Sequence, residues 1–340
     1  MDFFKFCKSY IEGLKNEKRH GSAGTLKTVL YSLQDFFNQM TLSPLEINEW
    51  MLSSYEKYLR GRREIKRMNQ AKLRTRIVKG MADGALHNHF RDLRILFKAA
   101  MKHFNKPQIG LIRIPYCPFD NYKIVDTPET RKRNLDIERI KLIRDCKVES
   151  GSRAEMARDL FMLSLYLCGT NAVDLYHLTS DNIKKGRVQY NRTKTKRRKD
   201  HAFISIKLVK EAKPLLEKYL GKLHTRYRHS HGLDRAIKEG FATVNKKTGL
   251  NGITYYWARH SFGNLARNKC RLSKDDVALA LNHVDQGNKV TDIYIEKDWN
   301  IVDEVQSKVI DLLIDKNELK TKGLINPVEQ RKSMHLVVAC

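Results

Sequence analysis

The chain has 340 residues, enough for two domains of ordinary size, with a mean hydropathy of -0.55 and no stretch near the ~20 apolar residues of a membrane span. Lys and Arg number 65 against 38 Asp and Glu, a formal net charge of +27 with pI near 9.8, which points to a polyanionic partner, nucleic acid by default. The six cysteines are scattered, without a CxxC pair or a Cys/His cluster, and the N-terminal MDFFKFCKSYIEGLK is broken by Lys5, Lys8 and Glu12, so the chain reads as a reduced, cytoplasmic protein without structural zinc, other metal or signal peptide.

The first 112 residues read as helices. Phe3, Phe6, Cys7, Tyr10 and Leu14 keep helical spacing, as do Leu26, Val29, Leu30, Leu33, Phe36 and Phe37. SPLE at 43–46 is a start signal: Ser43 caps, Pro44 suits the first helical position, and Glu46 completes a capping box. The helix it opens should bury Trp50, Met51, Tyr55, Tyr58 and Leu59. Residues 60–80, RGRREIKRMNQAKLRTRIVKG, form a basic insertion of nine cations and one acid. Asp83 then caps a long helix with Leu86, Phe90, Leu93, Phe97, Met101 and Phe104 on one face. Residues 113–133 carry three of the seven prolines and read as an extended interdomain linker.

Residues 134–315 are mixed, and 316–340 form a C-terminal tail. AEMARDLFMLSLYLCG is a largely buried helix with Gly169 as its C′ residue. GRVQYNR and HAFISIK alternate as two strands joined by the polar turn TKTKRRKD. Helices follow at about 208–220, 254–270, 274–282 and 303–314. The fold class is mainly α with a small β-sheet. A second basic run, 184–201, again holds nine cations and one acid.

Single residues say little here. Arg259 alone reads as a snorkelling arginine, His260 as a core histidine, His283 as a helix-end histidine and Lys194 as a solvated turn lysine. Their order says more: a buried helix ending in Gly, a hairpin with Lys, an Arg-His helix, a His, and Tyr294 near the end. That order, with YYWARHSFGN, ALNHVDQGNKVTDIYIEKD and NRTKTKRRKDHAFISI, resembles the tyrosine recombinases, the integrases of phages and conjugative transposons. The resemblance covers nearly the whole chain. It implies an N-terminal helical, SAM-like core-binding domain and a mixed α/β catalytic domain that close on duplex DNA as a clamp.

The resemblance further implies a site-specific recombinase that integrates or excises a mobile element. A tyrosine hydroxyl attacks a phosphodiester, forms a 3′-phosphotyrosine and releases a 5′-hydroxyl, which later reverses the step on the partner strand. Bond energy stays in the covalent link, so neither ATP nor any other cofactor is required. Tyr294 corresponds to the nucleophile, Arg259 to the second family arginine and His283 to the late phosphate donor, within LNH where LGH is usual. Lys194 corresponds to the acid for the 5′ oxygen. Lys196 faces the same way along an ideal strand and is the alternative.

Two positions depart from the family pattern. Asn171 stands where the first arginine is usual, with Asp174 keeping the supporting acid; losing one transition-state donor costs ~3–4 kcal/mol. Tyr256 replaces the histidine of His-x-x-Arg and can donate a hydrogen bond, but not act as a near-neutral acid or base. Both favour an alternative, a catalytically impaired member that regulates or scaffolds DNA. A type IB topoisomerase fits less well, since it usually keeps both arginines.

Arg60, Arg62, Arg63, Lys66, Arg67, Lys72, Arg74 and Arg76, with Lys196, Arg197 and Arg198, are expected to meet phosphates of double-stranded DNA. The resemblance implies four protomers on two duplexes, a nucleoid-associated location and, in some systems, a DNA-bending accessory protein. Residues 303–313, DEVQSKVIDLL, carry Val305, Val309, Leu312 and Leu313 and are expected to dock on a neighbouring protomer. The chain opens directly on a core-binding helix, as expected of a two-domain group without an arm-binding domain.

Overall fold

The computed structural model describes residues 1–69, 72–129, 132–198, 200–283 and 296–314, with backbone alone at Met68, Asn69 and Leu73. Two compact units divide the chain, Met1–Thr130 and Arg131–Cys340.

In the first unit, helix α1 (Phe3–Asn16) starts where the Asp2 carboxylate accepts from the amides of Phe4 and Lys5, and it buries Phe3, Phe4, Cys7, Ile11 and Leu14. Helix α2 (His20–Phe37) ends on Asn38 in the left-handed conformation. The Ser43–Glu46 capping box forms as read, but it closes only a 3-10 turn, Pro44–Glu46. Helix α3 (Glu49–Arg60) has its own cap, Asn48, which leaves Trp50 at 80% exposure rather than in the core. This later start turns Trp50 away from the face that buries Met51, Leu52, Tyr55 and Leu59.

The basic insertion is a hairpin, strand β1 (Arg63–Asn69) antiparallel to β2 (Lys72–Val78). Helix α4 (Asp83–Phe104) follows, with Ala82 as N-cap and Asp83 inside the first turn, where a carboxylate favours the helix dipole. Its Phe90, Leu93 and Phe97 complete the core with Phe3, Leu33, Leu52 and Tyr55. Residues 113–129 belong to this unit too: Ile114, Cys117 and Phe119 are buried in the same core, and Asn105 holds the backbone of Arg113 and Ile114 through its side-chain oxygen.

His89 is buried in this core with its Nε2 2.8 Å from the Tyr55 hydroxyl. Burial first, and the Arg63 charge second, push its pKa down to about 4. An unfolded chain takes up that proton near pH 6.5, so the contribution to stability is complete above that pH and lost as pH falls toward 4. The full effect is roughly 3 kcal/mol. Melting temperature should therefore fall between about pH 7 and about pH 5, and His89→Gln, which keeps an acceptor but does not titrate, should flatten that dependence. An equally steep profile in the variant would contradict this assignment.

The second unit opens with α5 (Ile137–Arg144) and the buried α6 (Arg153–Tyr166), followed by α7 (Ala172–His177). A three-stranded antiparallel sheet comes next, β3 (Ile183–Lys184), β4 (Arg187–Asn191) and β5 (Phe203–Lys207), in that order. Val188 opposite Ile206 and Tyr190 opposite Ile204 fix its register. Helices α8 (Lys213–Tyr219), α9 (Leu223–Arg226) and α10 (Ser230–Thr248) lead to α11 (Trp257–Asn264), which runs into a π-helical turn at Leu265–Lys269. Helices α12 (Lys274–Ala280) and α13 (Trp299–Asp311) complete the described residues.

Helix α10 escapes the sequence reading because glycines and charges interrupt its apolar face. Gly240 is what seats it: a Cβ there would lie 2.1 Å from the Arg153 carbonyl oxygen at the start of α6. Helix α13 packs within its own unit, burying Val302, Val305, Val309 and Leu313, so these side chains are not a free surface for a neighbouring protomer. Its Asp303 takes a two-pronged ion pair from Arg187 on β4, and Gln306 donates to the carbonyls of Tyr166 and Lys207.

Candidate active site

The turn after α6 builds one wall of the site. Cys168 occupies C′ in the left-handed conformation and Gly169 is the next residue, its amide bonded to the Ser164 carbonyl, a Schellman closure. Gly169 thus lies one position beyond the C′ expected of it. The absence of a side chain matters for another reason. A Cβ on Gly169 would lie 2.9 Å from Cγ of Arg259 and 3.0 Å from its Cα. The Thr170 carbonyl accepts from the Tyr255 hydroxyl at 2.6 Å and from the Ser164 hydroxyl at 2.7 Å, tying this turn to the start of α11.

Arg259 projects from α11 into this wall and is 7% exposed. Nη1 donates to the Gly169 carbonyl at 2.9 Å and Nη2 to the Leu281 carbonyl beyond α12. Both partners are neutral. Among the described residues no carboxylate pairs with this guanidinium, and burial, then the nearby Arg192 charge, push its pKa down. Such a cation favours an arriving anion.

Asn282 is the pivot of the LNH segment. It takes a left-handed conformation, which glycine or asparagine tolerates best, and this accounts physically for Asn in place of the usual Gly. Its amide donates to Ala202 O at 2.8 Å, while its carbonyl and side-chain oxygens accept from Arg198 at 3.3 and 3.1 Å. His283 follows, open to solvent on one side. Partial desolvation, then the charges of Arg259, Arg192, Lys194 and Arg198, lower its pKa to about 4. The imidazole is neutral at neutral pH and retains an N–H to donate.

The β4–β5 connection supplies the other wall. Lys194 sits exposed in a 3-10 turn, Thr193–Thr195, and its charge reaches His283. Lys196 follows in the right-handed helical region. The segment is not an extended strand, so the two lysines do not share a face by period two. Asp200 anchors the connection: burial alone would raise its pKa, but bonds from Lys297, Arg198 and the Ala202 amide outweigh this and hold the carboxylate below its ordinary range. Arg198 is thereby engaged inside the fold.

Asn171 stands at the N-cap position of α7 beside this connection and makes no side-chain capping bond. With its amide oxygen turned toward Arg192, it accepts from Nη2 at 3.1 Å and Nε at 3.2 Å. The opposite orientation would set an NH2 group against those donors for a single 3.4 Å bond to Asp174. Two good bonds decide the orientation. Asp174, buried, accepts from the Thr193 amide at 2.8 Å and so fixes the residue after Arg192.

Asn171, Lys194, Arg259 and His283, named from sequence, are thus brought into one neighbourhood. Tyr256 precedes α11, is 43% exposed and meets His260 edge-on at 4.9 Å. Tyr294 lies outside the described residues. Arg192 was not named from sequence. The signal was there: Val188, Tyr190 and Arg192 fall on one face at period two, which aims an arginine inward. Among the described residues no three His, Cys, Asp or Glu side chains cluster as a metal ion requires.

In the first unit, three predicted DNA contacts are held internally. Arg67 forks onto Asp35 and lies over the Tyr31 ring, Arg60 pairs with Glu56 and Asp83, and Arg63 bonds the Leu59 carbonyl. The Arg67 and Arg63 contacts stitch the β1–β2 hairpin to the helices and Arg60 ties α3 to α4, while Arg62, Lys66, Lys72, Arg74 and Arg76 are exposed.

Residues 2–107 match the phage integrase SAM-like domain. Among solved structures, a lambda integrase dimer bound to a COC′ core site aligns over 88% of this chain and 98% of that chain, with TM-score 0.57 and 15% identity. A lambda integrase tetramer bound to a Holliday junction aligns with TM-score 0.57 and 14% identity over 88% and 80%. The Tn1549 transposon integrase in complex with transposon right end DNA aligns with TM-score 0.52 and 13% identity over 88% and 97%. No match was found among curated proteins. The class is therefore defined by fold: helical, with small antiparallel sheets and a SAM-like N-terminal domain. This chain carries the fold of these integrases, with a phage integrase SAM-like domain over residues 2–107.

Proposed function

We propose that the protein is a site-specific DNA recombinase that cuts and rejoins duplex DNA through a 3′-phosphotyrosine on Tyr294, in the integration or excision of a mobile element. One observation carries the reading: the Arg259 guanidinium, the neutral His283 imidazole and Lys194 converge from separate elements on one strongly cationic neighbourhood. A phosphodiester gathers negative charge on its nonbridging oxygens in the transition state, and preorganised donors there stabilise it. Arg259 has two of its five N–H donors engaged with carbonyls, so three remain for phosphate oxygens. His283 donates one more, and Lys194 protonates the departing 5′ oxygen. Tyr256 orients or donates at the edge.

Double-stranded DNA is the substrate, held in part by the exposed cations of the β1–β2 hairpin, and four protomers act on two duplexes. The lambda integrase tetramer on a Holliday junction supports that stoichiometry. The uncharged Asn171 favours a second reading, a DNA-binding scaffold without strand cleavage.

Junction DNA of the host element, nicked near the cleavage point, separates the two. Wild type should trap an SDS-stable protein–DNA adduct, and Tyr294→Phe should trap none. Binding without any wild-type adduct would leave only the scaffold, and an adduct persisting in Tyr294→Phe would move the nucleophile elsewhere.

A further inference from the structure

We infer that the β1–β2 hairpin is a ribbon that reads base sequence in the major groove of the target duplex, with Glu64, Lys66, Thr75 and Ile77 against the base edges. The inference rests on the recombinase reading above and adds a specificity-determining element to it. The hairpin is built and aimed by the fold. Its base is clamped where Gly80 crosses Arg60: a Cβ on Gly80 would collide with the Arg60 carbonyl, and the Met81 amide donates to the Leu59 carbonyl at 2.9 Å. One face of β1 is taken up by the helices, since Ile65 is buried, Arg63 lies over the Tyr58 ring and Arg67 forks onto Asp35. Strand β2 has no such seat. It places no residue in the core of its unit, Ile77 is 60% exposed, and among its described side chains only Val78 is partly withdrawn from solvent.

The register puts Glu64 opposite Ile77 and Lys66 opposite Thr75, so these four share the face turned away from the helices, and all four are exposed. That face is chemically mixed, whereas phosphates alone would call for cations. Its groups are those that tell base pairs apart: Glu accepts from cytosine N4, Lys donates to guanine, Thr serves either way, and an apolar side chain meets the thymine methyl. Around it the exposed cations Arg62, Lys72, Arg74, Arg76 and Lys79 suit the flanking phosphates. The dimensions agree. Two seven-residue strands, about 4.8 Å apart and about 23 Å long, fit a major groove about 12 Å wide, which admits a two-stranded ribbon. The same cations disfavour the rival occupant. Each strand has a free edge among the described residues, but pairing it with the hairpin of a second copy would bring like charges together.

The test measures the affinity of the full chain for a duplex carrying the host element's core site and for a scrambled duplex of equal length and composition. Thr75→Val with Ile77→Ser removes the hydroxyl and the apolar contact without changing charge. It should weaken core-site binding by about 10- to 100-fold and leave scrambled-DNA binding within a few-fold. Arg74→Gln with Arg76→Gln should instead weaken both duplexes by a similar factor and lower the salt dependence by about two charges. Replacing core-site thymines one at a time by deoxyuridine removes only a methyl group. Wild type should lose affinity at the thymine that Ile77 meets, and the Thr75→Val, Ile77→Ser variant should not. A variant that keeps full discrimination, or that weakens equally on both duplexes, would overturn the inference. The scan on wild type needs no variant to fold, and indifference at every thymine would overturn the Ile77 contact. The adduct assay is independent of all this: a wild-type adduct alongside unaltered discrimination removes only the hairpin inference, whereas no wild-type adduct removes the recombinase reading itself.

Discussion

Arg259→Lys should slow adduct formation on nicked junction DNA by about 100- to 1000-fold while leaving DNA affinity within a few-fold of wild type. The charge is kept, but an ammonium is a point donor. It cannot span the Gly169 and Leu281 carbonyls and still present a planar edge to a phosphate. Affinity depends on many backbone contacts, so one altered contact changes it little, whereas the transition state depends on a few preorganised donors. Gel shift and single-turnover trapping separate the two quantities. Equal losses in both would mean that Arg259 holds ground-state DNA rather than the transition state.

Gly169→Ala should reproduce most of that loss without touching a charged group. Two separate effects act there. The left-handed backbone costs an L-residue roughly 1–2 kcal/mol. The new methyl would also meet Cγ, Cα and Cβ of Arg259 at 2.9–3.1 Å, so α11 or the turn must move. Gly151 allows the effects to be told apart, because it has the same left-handed backbone but nothing within 4 Å of an added Cβ. Gly151→Ala should lower thermal stability by a similar backbone amount and keep the cleavage rate. If Gly169→Ala loses stability but cleaves at the wild-type rate, the contact with Arg259 is not what positions the guanidinium.

Helices with an apolar stripe were legible in the sequence: α1, α2 and α4 appear where periodicity puts them, and α6 appears where a long apolar run does. The strands β4 and β5 and their polar connection also appear, since alternation and turn residues agree there. Three features were hidden. The β1–β2 hairpin is so dense in Arg and Lys that little alternation shows, and what holds it is long-range, Arg67 on Asp35. Trp50 is exposed because its helix is capped at Asn48, not at Ser43, a shift that moves the buried stripe. Helix α10 carries its packing signal in a missing side chain, Gly240 against α6, which a hydrophobic pattern cannot register.

Local chemistry settled which side chains were available for the site. The order of Lys194, Arg259 and His283, the uncharged Asn171 and the net charge are properties of the chain and needed no coordinates. Which cation stands beside Asn171 was decided only by folding. Arg192 lies 21 positions from it in a run of nine basic residues, any of which could have served by composition. The register of β4 on β5, the Asp174 bond to Thr193 and the left-handed turn at Asn282 turn this one arginine inward and hold Arg198 beside it. Those constraints are pairwise contacts between distant segments, formed when loops close and backbones pack, and a pattern read along one strand of residues does not contain them.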